Sequence, residues 1–258
     1  MLYYNKSSYK IGICISVSKL AEAVNFDFAE LSLSEVTDLS EIEFYLLKNN
    51  LIKYNISVPV MNCLFPRNLP IVGEKLNLED IKKYLRKAIR RAYELECKLF
   101  VLGSGFSRTY TDTYGKIAAF NDFSNVLKIL EGLTTDYNIT IAIEPLCALE
   151  TNLLNTMQET YDYIINCNIP GIKMICDTYH LENSAGNFRD IKKYTDLIQH
   201  FHISGKHRSF PIEFDEKFKT FFEIIDELGY EKLISIEAVL TQVDLLSISA
   251  SAFSKNKN

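Results

Sequence analysis

The stretch HFHISGKHR, residues 200–208, holds His200, His202 and His207, three of only four histidines in a chain of 258 residues; the fourth is His180. Imidazole both binds metal ions and moves protons near neutral pH, so the question is which acidic groups could join it. Four short β-branched runs each close on an ionisable side chain: ITIAIEP (139–145) at Glu144, IKMICDT (172–178) at Asp177, LIQHFHIS (197–204) at His202 and LISIEA (233–238) at Glu237. The intervals of 33, 25 and 35 residues each match one strand plus one helix, so the four groups converge on one rim. Three carboxylates and one imidazole suit Mn²⁺, Mg²⁺, Co²⁺ or Zn²⁺ and leave positions for two substrate oxygens. A lone glutamate after a strand is ordinarily a solvated loop residue, and a lone histidine on an apolar strand a hydrogen-bonded core residue. Equivalent placement of all four is what favours a site. His200 and His202 share one side of a strand; His202, nearer the mouth, is the better ligand and His200 a deeper support. His180, three residues past Asp177, is within reach of a bound substrate, and His207 has no assigned role.

Positioning such a rim takes a regular scaffold. Besides the four runs above, KIGICIS (10–16), FAELSL (28–33), ISVPVMN (56–62) and KLFVLGS (98–104) read as strands. Several are apolar at nearly every position, as parallel strands covered on both faces should be. Helical patterns alternate with them. Asn77 with Asp80 opens one, Thr156 with Glu159 forms a capping-box signature before another, and Gly229 closes a third that carries Phe218, Phe221, Phe222, Ile225 and Leu228. Eight strand–helix units in this length predict a single α/β domain over 1–258, a (β/α)₈ TIM barrel. The alternative, a doubly wound sheet, lacks a GxGxxG after its first strand.

Apolar residues make up 47% and charged residues 24% of the chain, an ordinary balance for a globular protein with a sizeable core. The 28 basic against 33 acidic residues give a net charge of −5, and the pI near 5.5 argues against a binder of nucleic-acid backbones. Six scattered cysteines with no CxxC pair predict reduced, mostly buried thiols. The first ten residues, MLYYNKSSYK, carry no apolar signal region, and no run approaches 18 apolar residues. A cytoplasmic protein with no membrane partner is expected; a homo-oligomer stays open.

Five segments carry a family resemblance: EPLCALETNLLNT (144–156), DTYH (177–180), HISGKHR (202–208), SIEA (235–238) and CLFP (63–66). They are similar to motifs of the sugar-phosphate isomerase/epimerase family of xylose isomerase-like TIM barrels, most of all to the branch of the D-tagatose and D-psicose 3-epimerases. The resemblance implies one divalent ion held by Glu144, Asp177, His202 and Glu237. It also implies a sugar or sugar phosphate contacted by His180, Arg208, Glu150 and, from the loop after the third strand, Phe65. Three departures bear on the substrate and leave the metal set intact. Cys147-Ala148 stands where the family has Asn-Arg, Ser204, Gly205 and Lys206 replace a glycine and an acidic residue, and the chain has no tryptophan.

The expected activity is that of an isomerase. A divalent ion polarises a ketose carbonyl, an enediolate forms, and Glu144 and Glu237 exchange the proton on the adjacent carbon. Use of both faces inverts the centre, whereas use of one face interconverts aldose and ketose. An endonuclease IV-like phosphodiesterase acting on abasic DNA is a rival, but it needs further histidines after strands three and four, where this chain has VMNCLFP and LGSGF. An inositol-catabolism dehydratase keeps the metal and changes the reaction, and a non-catalytic sugar-binding barrel has no need of a complete ligand set.

Overall fold

Each of the eight β-branched runs forms a strand. In the computed structural model, which describes residues 9–211 and 216–239, they pair in chain order and in parallel into a closed barrel. The strands are β1 (Lys10–Cys14), β2 (Phe28–Ser32), β3 (Val60–Asn62), β4 (Leu99–Leu102), β5 (Thr140–Ile143), β6 (Ile172–Asp177), β7 (Ile198–Ile203) and β8 (Leu233–Ile236). Seven helices surround them among the described residues: α1 (Leu33–Asp38), α2 (Glu41–Tyr54), α3 (Leu78–Glu94), α4 (Lys116–Thr134), α5 (Met157–Cys167), α6 (Thr178–Asn183) and α7 (Glu216–Glu227). The alternation is less even than eight equal units. A 3₁₀ segment, Val17–Asn25, joins β1 to β2, and a short α6 with a second 3₁₀ segment, Phe188–Tyr194, joins β6 to β7. The expected single domain reaches residues 240–258, which lie outside those described.

Side chains alternate across each strand, and the closed ring turns that alternation into two cores. Outward residues such as Ala29, Leu31, Phe100, Leu102, Met174, Cys176 and Phe201 pack against the helices. Inward residues form a second cluster of Phe28, Val60, Leu99, Val101, Ala142 and Ile175 that fills the lower barrel. Gly12 on β1 makes that filling possible, because a Cβ there would stand 2.3 Å from the Phe28 ring. One pleat above this apolar plug the inward positions turn polar: Glu30, Asn62, Glu144, Asp177, His202 and Ser235 are all buried.

The helix ends follow their sequence signals with one difference. The Asn77 side chain accepts from the N–H groups of Glu79 and Asp80 at the start of α3. Thr156 accepts from the N–H of Glu159, but the Glu159 carboxylate turns to the N–H of Asn155 at 2.8 Å, so the box is offset by one residue. Gly229 sits at φ +58, with the N–H of Tyr230 donating to Ile225 O and its own to Asp226 O, a Schellman closure of α7. All six cysteines are unpaired. Among the described residues no helix is long and apolar enough to cross a membrane.

Candidate metal centre

The inward parity that fills the lower barrel with apolar side chains delivers Glu144, Asp177, His202 and Glu237 to its upper mouth. One donor atom from each lies within 4.8 Å of all the others. Adjacent strands hold them in register, with Asp177 paired to His202 across β6 and β7 and His202 to Ser235 across β7 and β8. The Glu237 N–H donates to Ile203 O at 2.9 Å and ties the end of β8 to β7. Gly103, just past β4, leaves the space that the Glu144 carboxylate occupies, since a Cβ there would meet Glu144 Oε2 at 2.3 Å.

Two buried atoms of this cluster have no hydrogen-bond partner, His202 Nδ1 and Glu144 Oε1. They face each other at 3.4 Å, and His202 Nδ1 lies 3.6 Å from Glu237 Oε2. Buried polar atoms are ordinarily paired, and two orphans aimed at one point among carboxylates fit a cation. Donors sharing an octahedral ion with bonds of about 2.1 Å lie about 3 to 4.2 Å apart, so both separations suit a common ion. The residues present therefore fit a divalent ion with mixed oxygen and nitrogen ligation.

His202 presents Nδ1 because its other nitrogen is taken. Glu30, wholly buried on β2, receives His202 Nε2 at 2.9 Å on Oε1 and His200 Nε2 at 3.0 Å on Oε2. His200 Nδ1 meets Leu233 O at 2.8 Å, which makes it the deeper support expected. Burial works against ionised Glu30, yet His202 and His200 hold its carboxyl far below the usual range. Burial likewise opposes a charged His202, but Glu30 outweighs it and raises the imidazole well above its ordinary value. Cys14, Glu30 and His202 also offer atoms close together. In that trio both Glu30 oxygens are engaged by the two histidines, and burial raises the Cys14 thiol well above its ordinary value.

Two of the carboxyls are shifted in opposite directions. Burial raises the Asp177 carboxyl well above its usual range, and the charges of Glu237 and Glu144 raise it further. Burial pushes Glu237 the same way, but His202 and Arg208 hold it down at about 2. Asp177 Oδ1 also caps α6, accepting from the N–H groups of Tyr179 and His180.

The other expected site residues divide. Arg208 Nη1 donates to Glu237 Oε2 at 2.8 Å and Nη2 to Glu150 Oε1 at 3.2 Å, with Asp177 Oδ2 at 3.9 Å. Arg208 Nη2 also meets His180 Nε2 at 2.6 Å. His180 Nδ1 accepts from the Cys147 N–H at 3.1 Å, and burial lowers its pKa to about 4. It is therefore neutral at pH 7, with Nε2 facing the Arg208 guanidinium and 4.0 Å from both Glu144 Oε1 and Asp177 Oδ2. His207 and Arg208 both take positive φ, 57° and 58°, a conformation that costs about 1 kcal/mol or more per residue. His207 itself is exposed. Phe65 is buried at 3% exposure with its ring 5.8 Å from Tyr84.

Sequence reasoning missed Glu30 and Arg108. Glu30 carried a faint signal, a single acid at an inward position of an otherwise apolar strand. Arg108, fully buried in the loop after β4, donates to Leu102 O at 3.2 Å and to Glu144 O at 2.7 Å, bracing β4 against β5. Burial lowers its pKa to about 10, which leaves it charged at neutral pH; nothing in GSGFSR announces the role.

The chain matches the model of one protein family, the xylose isomerase-like TIM barrel, over residues 18–249. The ketose 3-epimerase of Arthrobacter globiformis is 27% identical over 110 residues, 42% of this chain and 38% of that protein, so the match spans well under half of that relative. A D-psicose 3-epimerase of Enterocloster bolteae is 22% identical over 85% of this chain and 75% of its own length. Among solved structures, the 3-keto-D-glucoside 4-epimerase of E. coli superposes with a TM-score of 0.77 at 18% identity, covering 94% of this chain and 98% of the other. At that identity the likeness speaks for the fold alone.

Proposed function

The chain belongs to the xylose isomerase-like TIM barrel family, and from that premise we propose that it is a divalent-metal-dependent sugar epimerase or isomerase. It exchanges the proton next to the carbonyl of a ketose or ketose phosphate. The observation that carries this reading is the facing pair of orphaned atoms, His202 Nδ1 and Glu144 Oε1, among the carboxylates of Asp177 and Glu237. Glu144, Asp177, His202 and Glu237 would hold the ion; Mn²⁺, Co²⁺, Mg²⁺ and Zn²⁺ all suit them. When bound, the ion polarises the carbonyl and steadies the negative charge that develops on its oxygen.

The remaining steps belong to the chain's own residues. Glu144 and Glu237 reach the centre from β5 and β8, with two strands between them, so each addresses a different side of a bound sugar. One takes the proton from carbon and the other returns it to the opposite face, which inverts that carbon. A positioned acid or base of this kind contributes about 10²–10⁴ in rate. His180, held at Nδ1 by the Cys147 N–H, presents Nε2 beside Arg208 to a sugar hydroxyl. Arg208, steadied by Glu150, supplies a second, cationic donor. The apolar plug beneath keeps bulk water from the reacting carbon.

Epimerases among the relatives and the donor set support this reading over a phosphodiesterase, whose further histidines have no counterpart at Asn62, Cys63, Gly103 or Ser104. The test is metal content of the purified protein followed by turnover of free and phosphorylated ketoses in deuterated water. About one ion per chain, and deuterium on the carbon beside the ketose carbonyl, are expected. Cleavage of abasic DNA with no ketose turned over would overturn the proposal.

A further inference from the structure

Asp177 and His202 face into the barrel, and just past them Thr178 and Ser204 turn to its outer side. There, between α6, the 3₁₀ segment Phe188–Tyr194 and α7, they line a cavity of about 220 Å³. No ligand of the metal centre lines it. Pockets that hold drug-sized molecules run to about 300–1,000 Å³, so this one suits something smaller.

Its two sides differ in character. Phe188, Phe218 and Phe221 make one side apolar, with the Phe188 and Phe221 rings edge to face at 6.2 Å. The other side is polar. Thr178 Oγ1 accepts from the Ser204 N–H at 3.3 Å, but the Ser204 Oγ, on a residue only 8% exposed, has no hydrogen-bond partner. Buried hydroxyls are ordinarily paired, and this one borders an open volume. Two residues on, Lys206 also lines the cavity. Its turn is closed by the Gly205 N–H donating to Ser209 O at 2.8 Å and the Ser209 N–H donating to Lys206 O at 3.2 Å, which fixes the backbone from which its side chain reaches.

The charges narrow the choice of occupant. Lys217 on α7 lines the cavity and pairs with Glu182, which lines it too, at 2.7 Å. Lys206 has no ion-pair partner among the described residues. Two cations against one carboxylate leave a single positive charge. Glu216, on the same first turn of α7, does not reverse that balance, because its side chain is 91% exposed and turned to Lys219. One net cation, one unpaired hydroxyl and an aromatic wall match a singly charged acid with an apolar body. A phosphate dianion fits less well, since Glu182 opposes its second charge and the phenylalanines offer it nothing.

We propose that this cavity binds a small monocarboxylic acid, with its body against Phe188, Phe218 and Phe221 and its carboxylate on Ser204 Oγ and Lys206 Nζ. The inference is independent of the reaction at the barrel mouth. Titration of the purified protein with 4-fluorobenzoate, followed by fluorine NMR, tests it. Saturable binding with a dissociation constant of about 1 mM or tighter is expected for a ligand of this size. Ser204→Ala and Lys206→Gln, which each remove one partner of the carboxylate, should each weaken binding by about tenfold or more. Lys206→Arg, which keeps the charge, should bind nearly as the wild type does. Neutral 4-fluorobenzamide and inorganic phosphate should both bind at least about tenfold more weakly than the acid. Absence of saturation at 20-fold the expected constant, about 20 mM, refutes the site. So does binding indifferent to both Ser204→Ala and Lys206→Gln, which would place the acid elsewhere. Equal affinity for the amide would overturn the assignment of an anion, and tighter binding of phosphate would overturn the choice of a monocarboxylate.

Discussion

Glu30 gives both its oxygens to histidines and none to the centre above them. Its work is orientation: it grips His202 by Nε2 and so turns Nδ1 toward the carboxylates. Partners of this kind commonly govern metal affinity by about 10–100-fold. Glu30→Gln, which keeps the shape and removes one acceptor and the charge, should weaken Mn²⁺ binding by that factor in isothermal titration; unchanged affinity would mean that the strand alone fixes the ring. Glu144 and Glu237 call for the opposite pattern. An amide oxygen can still ligate but takes no proton, so Glu144→Gln and Glu237→Gln should each lose turnover by about 10² or more while metal affinity falls far less. Deuterium exchange should slow in parallel in both variants. Equal losses of metal and of turnover would assign these residues to ligation only.

At the scale of elements, much was legible in the sequence. Eight apolar runs became eight strands because hydrophobic burial on both faces admits little else, and period-two alternation sent His200 and His202 to the same inward side. Four strand ends therefore found each other. The misses have physical causes. An inward glutamate looks the same in sequence as a solvated one, so Glu30 could not be told from an ordinary strand acid. Arg108 lies in a loop, where no periodicity fixes direction, and it turned inward to brace carbonyls. The offset bond of Glu159 shows a capping signature honoured by type but not by partner. The Schellman end of α7 offers a clean check. Gly229→Ala must hold φ near +58 with a Cβ in place, which should lower stability by about 1 kcal/mol and leave turnover unchanged. A melting temperature equal to the wild type's would show that the loop relaxes instead.

For the whole molecule, protonation and metal capture are linked. Asp177 and His202 both have raised pKa values in the fold. Stability drawn from a raised group is present below its unfolded value and is lost as pH climbs through the folded one. Chelator-treated protein should therefore lose melting temperature as pH rises above about 6.5, the ordinary histidine value. His180, lowered to about 4, adds stability as pH rises from there through 6.5 and contributes little slope beyond about 7.5. A bound ion replaces the same protons, so its affinity should rise with pH, and the gap in melting temperature between Mn²⁺-loaded and chelator-treated protein should widen from pH 6.5 to 8.5. A gap that narrows over this range would contradict the assignment of Asp177 and His202 as ligands. The plug of Phe28, Val60, Leu99, Val101, Ala142 and Ile175 has a consequence for traffic. With the barrel stoppered from below, whatever enters the mouth must back out through it. For the proposed reaction, substrate and product thus share one doorway, and an occupant of either kind keeps the other out until it leaves.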